Sequence, residues 1–172
     1  WSPDGLTIAS GGWDNTLSIW NAETGEEIKA IASDSLWFES VAWSRDGAYI
    51  AAGHKDGTIH IINAQTWNIE NKLYGHNSAH GGGVPIVSWA PDGTKIASGG
   101  RDEEKVFIWN KSGIRLHEFR GQPLSVFGLS WSPDSRMIAS SGEGQSVVIT
   151  DISTGSELIR LENHQPNTYS IA

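Results

Sequence analysis

A five-residue phrase recurs four times along the chain: Trp1-Ser2-Pro3-Asp4-Gly5, Trp43-Ser44-Arg45-Asp46-Gly47, Trp89-Ala90-Pro91-Asp92-Gly93 and Trp131-Ser132-Pro133-Asp134-Ser135. The opening tryptophans are 42, 46 and 42 residues apart, and the last unit, 131–172, is again 42 residues long. A self-similar period of this length marks an array whose units cannot bury their apolar faces alone and must stack on one another. The 172 residues therefore read as a single array, 1–172, with units 1–42, 43–88, 89–130 and 131–172.

The same grammar fills each unit. After the phrase comes a short run of aliphatic and small residues: Leu6-Thr7-Ile8-Ala9-Ser10, Tyr49-Ile50-Ala51-Ala52, Lys95-Ile96-Ala97-Ser98 and Met137-Ile138-Ala139-Ser140. A polar turn leads to Leu17-Ser18-Ile19-Trp20, Ile59-His60-Ile61-Ile62, Val106-Phe107-Ile108-Trp109 and Val147-Val148-Ile149-Thr150, whose β-branched and aromatic content suits strands. A third, alternating segment ends at Ile31, Leu73, Phe119 and Leu161, with Lys29, Lys72, Glu118 and Arg160 as the charges that protect an outer edge. Phe38 to Ala42, Val84 to Ser88, Val126 to Ser130 and Thr168 to Ala172 then run toward the next phrase as the innermost strand. No helical period of 3.6 appears. Four short antiparallel strands per unit make the chain all-β, with four blade-repeats of a β-propeller.

Composition removes several functions. The formal charge is −8, and the 12 Lys and Arg are scattered singly, which gives no cationic stripe for nucleic acid. The chain has no cysteine, so it holds neither a disulfide nor a thiolate metal site. No run approaches the roughly 20 apolar residues of a membrane span. A soluble, cytoplasmic protein without cofactor is the expectation.

Asp14-Asn15-Thr16-Leu17-Ser18-Ile19-Trp20-Asn21, Asp56-Gly57-Thr58-Ile59-His60-Ile61-Ile62-Asn63, the weaker Asp102 to Asn110, and Gly75-His76 together resemble the WD40 repeat family over the whole chain. The departures are systematic: the family's Trp-Asp pair reads Trp20-Asn21, Ile62-Asn63, Trp109-Asn110 and Thr150-Asp151. The resemblance implies a hydrogen-bonded relay of His, Ser or Thr, Asp and Trp within each blade. Carried over by position, its members are Asp14, Thr16 and Trp20; Asp56, Thr58 and His76; Asp102 and Trp109; and Ser146 with His164. The resemblance also implies a partner-binding rim for a protein or peptide at Trp13, Lys55, Arg101 and Glu143, together with Trp37, Glu39, Phe127 and Tyr169.

Catalytic and metal readings have little material. The relay is a structural tie, the recurring Asp4, Asp46, Asp92 and Asp134 suit tight turns, and His76 with His80 sits in a Gly-rich loop lacking a third ligand. A propeller enzyme, hydrolase or lyase, would need inward acids or bases, and the inner strands offer only Glu39 and hydroxyls.

The first unit supplies three strands and the last ends on an unpaired one. The expectation is a homodimer in which residues 168 to 172 of each copy complete the first blade of the other, each chain being half of an eight-bladed ring. The clean cut at unit boundaries is equally expected of an excised or engineered segment with no substrate of its own.

Overall fold

In the computed structural model, residues 1–33, 36–76, 82–162 and 167–171 are described. Fifteen strands are present among them: β1 (Thr7–Gly11), β2 (Thr16–Asn21), β3 (Glu27–Ala32), β4 (Phe38–Trp43), β5 (Tyr49–His54), β6 (Thr58–Asn63), β7 (Ile69–Tyr74), β8 (Ile86–Trp89), β9 (Lys95–Gly99), β10 (Lys105–Asn110), β11 (Arg115–Arg120), β12 (Val126–Trp131), β13 (Met137–Gly142), β14 (Val147–Asp151) and β15 (Glu157–Leu161). They form one three-stranded sheet, β1-β2-β3, and three four-stranded sheets, β4 to β7, β8 to β11 and β12 to β15, all antiparallel meanders. Each sheet is a blade, and a blade begins one strand before the sequence unit does.

The phrase makes the turn between the first and second strands of a blade. Ser44 Oγ donates to Asp46 Oδ1 at 2.6 Å and accepts the Tyr49 amide at 2.9 Å, while Asp46 Oδ1 accepts the Ala48 amide at 3.0 Å. The fifth position needs a left-handed backbone. Gly47 takes φ 70° there without strain, and Ser135 holds the same region at φ 60°.

Three apolar layers lie between the four blades, because strands alternate their faces and each of the two middle blades buries both against neighbours. Leu17, Ile19 and Ile31 meet Phe38, Ile50 and Ile62. Ile59, Ile61 and Leu73 meet Val87, Ile96, Phe107 and Trp109. Val106, Ile108 and Phe119 meet Val126, Leu129, Ile138 and Ile152.

The last strand expected from the sequence differs. Residues 167–171 carry no strand pairing, and Ala172 lies outside the described residues. The reason is the lack of a neighbouring strand, since their backbone already occupies an inner-strand position. Thr168 N donates to Gly142 O at 3.1 Å, as Phe38 N does to Gly12 O, Val84 N to His54 O and Val126 N to Gly100 O between successive blades.

Candidate functional site: an aromatic and charged band on one rim

The turns after β1, β5, β9 and β13 carry Trp13, Lys55, Arg101 and Glu143. Three of these turns are pinned to the segment entering the same blade's inner strand: Lys55 N donates to Trp37 O at 3.1 Å, Arg101 N to Gly83 O at 3.0 Å and Glu143 N to Ser125 O at 3.0 Å. This repeated bond puts both sets of side chains on one rim.

There they form an unbroken series. The rings of Trp13 and Trp37 lie 5.5 Å apart. Lys55 Nζ stands 5.9 Å from the Trp37 ring and 3.7 Å from Glu39 Oε1. Glu39 Oε1 also accepts from Arg101 Nη2 at 3.5 Å, and the Arg101 guanidinium sits 5.4 Å from the Phe127 ring. Phe127 stacks on Tyr169 with centroids 5.7 Å apart. Seven of the eight rim residues read from sequence are thus joined; Glu143 shares the rim through its backbone bond to Ser125. Glu39 is enclosed, its side chain 9% exposed, and its Oε2 lies buried without a hydrogen bond. Trp13 and Tyr169, at the two ends, are the open members at 82% and 65% exposure.

The relay follows a different pattern from the sequence reading. His76 was expected to serve with Asp56 and Thr58, yet both its ring nitrogens engage the next blade: Nε2 meets Ser98 Oγ at 2.6 Å and Nδ1 meets the Glu103 carboxylate. The cause is connectivity. Residues 75–76 lead into β8, and Gly75 lies against the Trp109 ring of that blade. Trp109 Nε1 donates to Ser98 Oγ at 2.8 Å, so Glu103, not Asp102, completes the set. Asp56 Oδ1 instead accepts the Thr58 amide and hydroxyl at 2.9 and 2.6 Å. In the first blade Trp20 Nε1 donates to Ser10 Oγ at 2.8 Å, while Asp14 Oδ1 accepts the Thr16 amide at 3.0 Å.

In the fourth blade Ser146 Oγ accepts from Arg160 at 2.9 Å, and Gln122 Nε2 donates to Ser140 O at 2.8 Å. His164 and His80 lie outside the described residues. The second blade, with Ala52 and Ile62 at the Ser and Trp positions, is tied by a buried histidine pair, His54 Nε2 to His60 Nδ1 at 3.0 Å. The Leu36 carbonyl can only accept, so the 3.2 Å contact makes His54 Nδ1 a donor, and in the neutral ring Nε2 is then the acceptor of a proton from His60 Nδ1. Ser10, Ser98 and the His54–His60 pair were missed; the Ala9-Ser10 and Ala97-Ser98 steps were the signal for the two serines, and their replacement by Ala51-Ala52 marked the second blade as different.

Ser98, His76 and Glu103 have the connectivity of a nucleophile, base and orienting acid. Ser98 is fully buried and its oxygen already accepts from Trp109, so no substrate reaches it. The turn aspartates are structural acceptors. Asp46 is held below the ordinary carboxylate range first by the Ser44 hydroxyl and then by the Ala48 amide, and Asp134 likewise by Ser132 and Arg136. Among the described residues no group of three His, Cys, Asp or Glu could hold a metal, and no helix is long and apolar enough to cross a membrane.

Comparison with known proteins agrees with the blade geometry. The family described as ELP1 first N-terminal beta-propeller matches residues 21–153, and the WD domain, G-beta repeat, matches residues 1–21. The anaphase-promoting complex subunit cdh1 of Dictyostelium discoideum is 26% identical over 108 residues, covering 63% of this chain and 14% of that protein. Since the first match takes in well over half of the 172 residues and meets the same repeated blades seen in the sheets, the chain belongs to the family of the ELP1 first N-terminal beta-propeller, a WD40-like repeat family.

Proposed function

We propose that this chain is a non-catalytic propeller scaffold that docks a protein or peptide on the rim formed by Trp13, Trp37, Lys55, Glu39, Arg101, Phe127 and Tyr169. The observation that carries the reading is the continuity of the band: aromatic and charged side chains from four blades touch in series, with the most exposed rings at its ends. Trp, Tyr and Arg are the side chains that most often dominate binding energy. Affinity capture with the wild-type protein and with a Trp37→Ala, Arg101→Ala double variant tests it. Partners retained by the first and lost by the second support the reading; identical capture by both would sink it.

The finer arrangement we propose is a two-fold homodimer whose eight blades close a ring. Supporting it, the two end faces of the array expose the same positions that its interior buries. Trp1 is 71% exposed where its equivalent Trp89 is 8%, and Leu161 is 49% exposed where its equivalent Leu73 is 1%. Seating the fourth blade of one copy on the first of the other buries both. Light scattering then gives twice 18.6 kDa. A folded species of 18.6 kDa at micromolar concentration would refute the closure.

A further inference from the structure

Strands of a meander reverse at alternate ends, so the phrase turns and the turns that follow β2, β6, β10 and β14 lie on the face opposite the aromatic and charged band. Between neighbouring blades that face carries a groove, walled by the phrase of one blade and the later turn of the next. Between the first and second blades the groove is a cavity of about 510 Å³, lined by Asp4 and Thr7 on one side and by Trp43, Asp46, Ala64 and Trp67 on the other. That volume falls within the range of small-molecule sites.

The other phrases show what such a groove holds. In the second groove Lys111 of the third blade stands 5.8 Å from the Tyr49 ring, and its charge joins the Ser44 hydroxyl and the Ala48 amide in keeping Asp46 ionised. In the third, Lys95 Nζ lies 3.3 Å from Asp92 Oδ2. Asp134 is held ionised by the Ser132 hydroxyl and the Arg136 amide, with the Arg136 charge behind them. Asp4 has no such cation: Ala64 stands at the position of Lys111, Thr7 at that of Lys95 and Leu6 at that of Arg136. The Ser2 hydroxyl and the Leu6 amide keep Asp4 ionised. Both donate to Oδ1. Among the described residues, Asp4 is thus the one phrase carboxylate without a cation of the chain's own.

The wall of the first groove departs from the repeat as well. The left-handed position of the later turn is Gly25, Gly113 and Gly155 in three blades, at φ 73°, 87° and 69°, and Trp67 in the second, at φ 59°. Glycine takes that backbone freely, whereas a bulky side chain takes it under strain. The Trp67 ring packs on the first apolar layer beside Trp43 and also lines the cavity. An indole attracts a cation through its quadrupole, and the net charge of −8 draws the same sign of ligand.

We infer that the first groove is a binding site for a primary alkylammonium group, whether of a free amine or of a lysine side chain. Its ammonium pairs with Asp4, and its stem lies against Trp43 and Trp67. The ligand thereby does in the first groove what Lys111 does in the second. The site is separate from the docking rim and depends neither on that reading nor on ring closure.

Titration followed at the indole NMR resonances of Trp43 and Trp67 tests this. The probes are n-butylammonium, Nα-acetyl-lysine methylamide, n-butanol and butyrate. Wild-type protein is expected to bind an ammonium probe at least tenfold more tightly than n-butanol or butyrate. The tighter of the two ammonium probes identifies the source, free amine or side chain. Asp4→Asn removes the preference for the cation. Ala64→Lys supplies the missing charge from the chain itself, melts no lower than wild type and weakens n-butylammonium at least tenfold. Lys111→Ala vacates the second groove and adds a second site, read at the Trp89 indole, which stacks on Tyr49 with centroids 6.4 Å apart. Melting curves show that each variant is folded, and Asp4→Asn and Ala64→Lys decide the matter independently. Binding of n-butanol as tight as that of n-butylammonium overturns the assigned chemistry. Binding that neither Asp4→Asn nor Ala64→Lys alters, or no response to either ammonium probe, overturns the site, and the docking rim is untouched by that result.

Discussion

At the residue scale, Ser98 is the joint of the third blade. Its single hydroxyl satisfies two buried nitrogens, Trp109 Nε1 and His76 Nε2. Leaving either unpaired costs the desolvation of that group, so Ser98→Ala is expected to lower stability by about 2 to 3 kcal/mol in urea unfolding. Ser10→Ala, whose Trp20 partner is partly solvated, loses about 1 kcal/mol or less. A reversed order of the two would contradict this account of the relay. Ser44 has a different signature. Asp46 is ionised more readily in the folded chain because the Ser44 hydroxyl and the Ala48 amide bind its charged form. A carboxylate with a lowered folded pKa adds stability above its unfolded pKa and gives it up as pH falls through the folded one. The advantage of wild type over Ser44→Ala is thus full above about pH 5 and shrinks toward pH 3, from at most about 1 kcal/mol after allowance for solvent screening. Melting curves across that range check the sign. His76 itself was legible in the sequence; which blade it served was not, because the loop after β7 carries it into the neighbour.

At the element scale, the pairing of the first and second strands carries one hydroxymethyl in the second and fourth blades, while the third sets Ile86 opposite Gly99. Ser40 on β4 faces Gly53 on β5, and Gly128 on β12 faces Ser141 on β13, so the serine has changed strand between blades. A Cβ on Gly53 would lie 2.5 Å from Ser40 Oγ, and one on Gly128 would fall on Ser141 Oγ. Gly128→Ser alone is therefore expected to cost about 1 to 3 kcal/mol by overpacking. The double variant Gly128→Ser, Ser141→Gly recreates the second-blade arrangement and recovers most of that loss. Thermal denaturation of the three proteins decides it, and additive effects of the two changes would refute the shared slot. The strand segments were all readable from alternation and turn residues, as in β2, β6 and β10. The exception is 167–171, where a strand needs a partner edge that no local pattern can supply.

At the scale of the whole molecule, association and stability are one quantity if the ring closes between copies. The melting temperature then rises with protein concentration, by an amount set by mass action, whereas Ser170→Pro melts lower and independently of concentration. A concentration-independent midpoint for wild type would argue for a self-sufficient four-blade array. The rim band belongs to this scale as well, since its members come from four blades and from residues as far apart in sequence as Trp13 and Tyr169.

The repeated phrase and the two-residue alternation by themselves determined that the chain is all-β and that it has four units, whereas the rim positions were implied only by the resemblance to the WD40 family. These properties are local: turn chemistry sets a dihedral, and alternation sets a face. Tertiary structure alone decided which blade each buried polar group serves, that a histidine pair ties the second blade, and that Lys55 and Arg101 share one carboxylate. Such contacts depend on how consecutive sheets are stacked, and the spacing within any one unit carries no information about the distance between neighbours.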